Sequence, residues 1–246
     1  METGFFERTA ILIHQEGMDK LAQLHVLVCG LGGVGSYAAE ALCRAGVGHL
    51  TLVEHDTIAA SNINRQLHAT HATVGQKKMQ VMLQRMQQIN PHGQIDPLDQ
   101  FLTREQIPDL LETAKPHVVL DAIDSLNCKV GLIVESYHRG IPVFSSMGAG
   151  GRLDPTKVQV SDLMQSHTCP LASKVRQRCR REGVRNGVIC AWSSEIPAPP
   201  LPPEPVTQGR PRAVNGTISY LPALFGLLLA GRMIHQQLNP LAPPAP

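Results

Sequence analysis

Residues 30–35 read GLGGVG, set between an apolar run, LHVLVCG (24–30), and a segment of helical pattern, SYAAEALCRAG (36–46). A buried strand that turns on glycines straight into a helix leaves few architectures open. The glycines let the backbone reverse with no Cβ in the way, the helix packs back along its strand, and the next strand returns parallel to the first. Apolar runs of strand length follow at HLTLVE (49–54), HVVLDAID (117–124), IPVFSS (141–146) and KVQVSD (157–162). Between them, 75–89 carries Met79, Leu83, Met86 and Ile89 at helical spacing, and a proline-led helix is predicted over 170–181. The fold expected is α/β: a Rossmann-like, mostly parallel sheet with helices on both faces, plus a C-terminal extension that completes the sheet or a dimer interface.

With 246 residues, 43% of them hydrophobic and 17% charged, the chain buries a core without a metal or disulfide staple. A formal charge of +2 excludes a polybasic protein, so any nucleic-acid contact has to come from a local patch. The six cysteines form no CxxC pair, which argues against a zinc knuckle and a secreted disulfide framework. Glu2, Glu7 and Arg8 interrupt the N-terminal apolar residues, as a secretory leader would not. A cytoplasmic protein is expected. The apolar stretch 218–230 is shorter than the ~20 residues of a membrane span and contains Pro222, so it is assigned to the core or to a dimer face rather than to lipid.

The candidate chemistry lies where such strands end. Gly30, Gly32, Gly33 and Gly35 allow close approach of the backbone to a phosphate, while the following helix offers unpaired amides and the positive end of its dipole. Glu54, at the end of the next strand, falls where a carboxylate grips ribose hydroxyls, which points to an adenosine-containing ligand. Hydride transfer leaves a pyrophosphate intact and has no need of Arg65 and Lys78 beyond such a loop. Breaking a phosphoanhydride does need cations, and Asn62 is suited to orienting an oxygen. Asp124, closing DAID, stands where a hard oxygen ligand would hold Mg²⁺ beside phosphates.

GLGGVG, the acids Glu54 and Asp56, SNINRQ (61–66), Lys78 and DAID with Asp124 together resemble the ubiquitin-activating-like superfamily of adenylating enzymes. Within it, INRQLHA (63–69), GAGGRLDPTKVQVSDL (148–163) and CPLA (169–172) look like the tRNA threonylcarbamoyladenosine dehydratase branch. The resemblance implies an ATP-binding adenylating domain over 1–196, while the proline-rich composition beyond it reads as a connector over 197–216, followed by an apolar helix with a frayed tail over 217–246. It also implies ATP and Mg²⁺ as cofactors, with the glycines at the phosphates, Glu54 and Asp56 on the nucleotide, and Asn62, Arg65, Lys78 and Mg²⁺-bound Asp124 at the reacting centre. Arg8 matches an arginine that reaches into a partner subunit's site, so a homodimer is implied. The activity implied is ATP-dependent cyclisation of N6-threonylcarbamoyladenosine in tRNA through an acyl-adenylate, with tRNA and a sulfur-relay helper protein as partners.

The alternative within the superfamily is adenylation of the C-terminus of a ubiquitin-like sulfur carrier, but such activators carry two CxxC pairs that this chain lacks. Cys169 is a candidate covalent acceptor, with a buried structural thiol as the plainer reading. Lys174, Arg176, Arg178, Arg180 and Arg181, with Arg185, face a single acid, Glu182, over 171–185 and suit the phosphates of a tRNA. His68 and His71 lack a third ligand nearby and are read as structural or surface residues.

Overall fold

Two hydrophobic cores, one on each side of a single sheet, organise the residues that the computed structural model describes, 4–202 and 215–239. The strands are β1 (His25–Cys29), β2 (His49–Glu54), β3 (Gln94–Asp99), β4 (Val118–Asp121), β5 (Val143–Ser146), β6 (Val158–Asp162) and β7 (Val188–Ser193). Their order is β3-β2-β1-β4-β5-β7-β6, and every neighbouring pair is parallel except β6 with β7. The chain winds outward from β1 in one direction to β3, then crosses back to β4 and β5. The carboxyl ends of β1 and β4 therefore flank a topological switch point, the place where open sheets of this kind leave a crevice for ligands.

The helices are α1 (Glu7–Ala22), α2 (Gly35–Ala45), α3 (Lys78–Ile89), α4 (Ile107–Ala114), α5 (Leu126–His138), α6 (Pro170–Arg181) and α7 (Tyr220–Leu238). Because side chains alternate along a strand, Val26 and Val28 of β1 pack with α2, α3 and α7, whereas Leu27 and Cys29 pack with α4, α5 and α6. The central strands are buried on both faces, as parallel strands between helix layers must be.

The apolar C-terminal segment is α7. Leu221, Phe225, Leu229 and Met233 are fully buried, the last three in the α2 side of the core, each contributing on the order of 1.5–3 kcal/mol of burial. It adds a helix, and among the described residues no strand, to the molecule. No helix among the described residues is long and apolar enough to cross a membrane.

Some local readings are corrected. The helix expected from residue 75 begins at Lys78, and its buried stripe is Met79, Met82 and Met86, with Leu83 and Ile89 only half-buried. The strand expected over 117–124 ends at Asp121, leaving 122–125 as a loop. α1 is broken at His14, whose φ of 57° lies in the left-handed region. Most of the proline-rich connector (203–214) and the tail (240–246) lie outside the described residues.

Candidate functional site

The turn after β1 is shaped by contacts that only glycine permits. Gly30 has a φ of 90° and donates its N–H to the Val53 carbonyl at 2.8 Å, so the chain leaves β1 while still tied to β2. A Cβ on Gly35 would stand 1.8 Å from the Gly30 carbonyl oxygen. α2 starts there without a capping side chain on Val34, and the Ser36 N–H of its first turn is taken by the Gly32 carbonyl at 3.1 Å. α7 closes the other side: a Cβ on Gly226 would stand 2.3 Å from the Val34 carbonyl oxygen, and one on Gly33 would meet Pro222 at 3.0 Å and the Arg65 carbonyl oxygen at 3.2 Å. Gly32 has more room, its nearest neighbour being the Gln66 amide nitrogen at 3.8 Å from a Cβ so placed.

Glu54 is buried, and its carboxylate accepts from three backbone N–H groups: Leu31 at 2.9 Å, His55 at 2.7 Å and Asp56 at 2.9 Å. It thereby locks the glycine turn to the end of β2. Lys78, also buried, donates to Asp56 at 2.8 Å. Burial alone would raise the Asp56 carboxyl, but the Lys78 ammonium outweighs it and holds the group below its ordinary value. Glu54, His55 and Asp56 bring ligand atoms within 4.8 Å of one another. With Glu54 committed to amides and Asp56 to Lys78, the trio is an internally neutralised cluster more than an open metal cradle.

Arg65 follows a 3₁₀ turn (Ala60–Asn62) and donates to the Ser61 carbonyl and to Asn64 Oδ1, both at 2.9 Å. Its backbone carbonyl and Cγ lie beside Gly33, and the half-buried guanidinium is drawn below its usual pKa by desolvation, yet remains charged. Asn62 Oδ1 accepts from the Ala59 N–H at 3.0 Å, and Asn64 donates to the Thr217 carbonyl at 2.8 Å, which ties this loop to the segment before α7. Asp124 is exposed on the loop after β4, at the same sheet edge. The structure thus brings Gly30–Gly35, Glu54, Asp56, Arg65 and Lys78 into one continuous set of contacts, with Asn62 and Asp124 on its rim.

One arrangement has no counterpart in the motifs. Asp121 and Lys129, both fully buried, form an ion pair at 2.6 Å, and Ser145 Oγ donates to the same carboxylate oxygen at 2.6 Å. The other oxygen accepts from the Ile123 N–H at 3.0 Å. The pair therefore sets the path of the loop that carries Asp124. The first acid of DAID is the signal for it; its partner lies within an apolar helix and shows no pattern.

The remaining candidates stand apart. On α6, Lys174, Arg180 and Arg181 are exposed, whereas Arg176 donates to the Ser166 carbonyl and hydroxyl and Arg178 donates to Asn127 Oδ1. A surface cavity of about 430 Å³ is lined by Ser173, Arg176, Gln177, Arg180 and Arg181, with no acid among them. Cys169 is 2% exposed, so a substrate would reach it only after local opening. His68 is buried with neither ring nitrogen bonded, and burial, with Lys78 nearby, lowers its pKa to about 4; His71 is exposed. Arg8 is exposed on α1, close behind Phe6, whose ring lies 3.4 Å from where a Cβ on Gly46 would be. Gly46 caps the end of α2 remote from the glycine turn, so Arg8 stands away from its own chain's site.

Residues 6–244 match the ThiF family. The chain is 42% identical over 192 residues to the tRNA threonylcarbamoyladenosine dehydratase of Bacillus subtilis (strain 168), covering 78% of this chain and 75% of that protein. It is 40% identical to the protein of the same name from Escherichia coli (strain K12), over 77% of this chain and 73% of the other. A crystal structure of E. coli tRNA N6-threonylcarbamoyladenosine dehydratase, TcdA, in complex with ATP superposes with a TM-score of 0.84 at 34% identity, over 95% of this chain and 93% of that one.

Proposed function

The chain belongs to the ThiF family, and from that premise we propose that it carries out the ATP-dependent cyclisation of N6-threonylcarbamoyladenosine in tRNA. The observation that carries this reading is the set of contacts built around the glycine turn: the Arg65 backbone carbonyl and Cγ beside Gly33, and Lys78 linked through Asp56 and Glu54 to Leu31. The relatives named for this reaction, one of them solved with ATP, support it.

A carboxylate is a poor electrophile, because its charge is delocalised and oxide does not leave. A threonyl carboxylate oxygen attacks the α-phosphorus of ATP, an O–P bond forms, and the bond from that phosphorus to the bridging oxygen breaks as pyrophosphate departs. Arg65 and Lys78 take up the charge that develops on the leaving phosphates, the amides of the glycine turn and α2 hold the phosphates in line, and Glu54 receives the ribose. Lys78 is already paired with Asp56, so its position is set before nucleotide arrives. Asp124 has the chemistry to hold Mg²⁺, a hard carboxylate oxygen at the phosphate edge; that ion would neutralise pyrophosphate. The ureido nitrogen of the same nucleoside then attacks the activated carbonyl, AMP leaves, and a five-membered ring closes with the high effective molarity of an intramolecular reaction.

Exposed Lys174, Arg180 and Arg181 suit tRNA phosphates, with Arg176 and Arg178 held in place beneath them. The position of Arg8, far from its own chain's turn, suits a site completed across a homodimer, and exposed Ile11 and Leu12 on the same helix give a second copy something to bury. A cytoplasmic setting keeps the six thiols reduced. The test is incubation with ATP, Mg²⁺ and threonylcarbamoylated tRNA, followed by mass analysis of the nucleoside: loss of one water with formation of AMP is expected. Pyrophosphate release that requires a ubiquitin-like carrier protein, and not tRNA, would overturn the reading.

A further inference from the structure

Arg152, on the loop that follows β5, is only 3% exposed. Three of its five N–H donors are committed to backbone carbonyls: Nε to Glu195 at 3.0 Å, and Nη1 to Gly148 at 2.5 Å and Gly150 at 3.1 Å. Nη2 is buried and has no partner. The Glu195 carboxylate is turned instead to the Leu153 and Asp154 amides, at 3.1 and 2.9 Å. The arginine ion pairs among the described residues are those of Arg44, Arg85, Arg104 and Arg139, so Arg152 has none there. Carbonyls satisfy its N–H groups but leave its charge whole. Keeping a guanidinium out of water in this state is costly unless an anion joins it.

The surroundings say which anion fits. Gly148 stands just past the carboxyl end of β5, and a Cβ built on it would have Arg152 Nη1 and Cys169 Sγ at 3.6 Å and Leu171 Cβ at 3.8 Å. α6 therefore starts beside the guanidinium, and Cys169, its N-cap, makes no side-chain capping bond, so the positive end of the helix adds to the charge of Arg152. On the same loop, a Cβ on Gly150 would stand 3.5 Å from Thr217 Oγ1, and the Thr217 carbonyl holds Asn64, the neighbour of Arg65. The two arginines are thus one segment apart at the carboxyl edge of the sheet. Residues 195–198 cover the corner, tied to it by the Ala198 N–H on the Gly151 carbonyl at 2.6 Å. A covered corner has no room for an RNA backbone, whereas a slender acidic arm can enter by displacing the cover. We infer that Arg152 and the amino end of α6 receive the carboxylate of the threonylcarbamoyl group. The inference rests on the cyclisation reading above and adds to it the residue that tells the modified adenosine from a plain one. One carboxylate oxygen meets Nη2 while the other is left free to attack the α-phosphorus. After adenylation the first oxygen is the acyl carbonyl, and Arg152 faces the negative charge that gathers on it as the ureido nitrogen adds.

The experiment is equilibrium titration of the full chain, wild type, Arg152→Gln and Arg152→Lys, without ATP so that no turnover occurs. Three synthetic RNA stem–loops serve as probes, carrying N6-threonylcarbamoyladenosine, its methyl ester, or plain adenosine. The wild type should bind the acid about ten- to a hundredfold more tightly than the ester, the worth of a hydrogen bond to a charged group. In Arg152→Gln the acid and the ester should bind equally, and Arg152→Lys, which keeps the charge, should retain part of the difference. Plain RNA should bind all three proteins alike. A smaller folded fraction lowers every ligand together, so it cannot imitate a lost preference between two of them. Undiminished preference for the acid in Arg152→Gln would overturn the inference, as would an equal loss toward plain RNA, the mark of a loop disturbed as a whole. A wild type that cyclises its substrate yet binds acid and ester alike strikes out the receptor alone. If it binds the three RNAs alike and, given ATP, removes no water, the cyclisation reading falls and the receptor with it.

Discussion

Replacing Lys129 by methionine would leave the Asp121 carboxylate at the centre of the protein without its counter-charge. Both partners are fully buried and 2.6 Å apart. At an effective dielectric constant of 20, their attraction is about 6 kcal/mol. Ser145 Oγ and the Ile123 N–H continue to donate to the carboxylate in the variant and recover part of that. A net loss of about 3–5 kcal/mol follows, the range found when one member of a buried pair is removed. For a chain of this size it corresponds to a fall in Tm of about 6–20 °C. Scanning calorimetry or urea denaturation reads the change directly. The double variant Asp121→Leu/Lys129→Met, with no charge left to bury, should regain most of the loss. A Lys129→Met protein within about 0.5 kcal/mol of wild type, no more than the spread of ordinary surface substitutions, would show that the buried pair does not carry the stability assigned to it.

Three more outcomes follow from the geometry. Gly35→Ala places a methyl group 1.8 Å from the Gly30 carbonyl oxygen, so the glycine turn must open; ATP binding measured by calorimetry should be lost, while Gly75→Ala, with open space around it but a φ of 88°, should cost only backbone strain and leave ATP binding intact. His68 has its folded-state pKa lowered to about 4 from 6.5, so the unfolded chain takes up the proton first and stability falls as pH drops through that interval; between pH 7 and 5.5 this group alone accounts for about 1 kcal/mol, and His68→Leu should flatten the urea midpoint over that range. Charge reversal at exposed Arg180 and Arg181 should weaken tRNA binding and reduce the slope of log affinity against log salt by about 0.7–0.9 for each phosphate no longer neutralised; an unchanged slope would take α6 out of the tRNA-binding surface.

What the sequence discloses of this fold depends on how each element is buried. β1 and β4 are largely apolar because helices cover both faces, and such runs are legible without any structure. β3 is not: it is an edge strand, carries Pro97 in its middle and leaves much of its surface to solvent, so QIDPLD has neither an apolar run nor clear alternation. α5 is hidden for the opposite reason. Eight of its thirteen residues are buried, and β-branched Val130, Ile133 and Val134 with Gly131 erase the polar face on which helical periodicity depends. α1 loses its rhythm at the His14 break. At the site, the glycines and the charged residues after them are visible because phosphate chemistry asks for particular residue types at particular strand ends. Lys129 is invisible, because a lysine inside a helix is nearly always a solvated one until its neighbours are known. Glu54 stands out in the sequence by its place at a strand end, but only the folded chain reveals that its oxygens fasten the turn through three backbone amides.

The packing of Gly226 on the Val34 carbonyl joins positions about 190 residues apart, a separation that makes for slow, late closure during folding. On a ribosome, the nucleotide cradle begins to take shape among the first residues to emerge, yet it stays half-walled until the segment near residue 226 has been synthesised and has docked. A nascent chain stalled short of that point would present an unroofed glycine loop and the bare apolar face of α2 to the cell's chaperones.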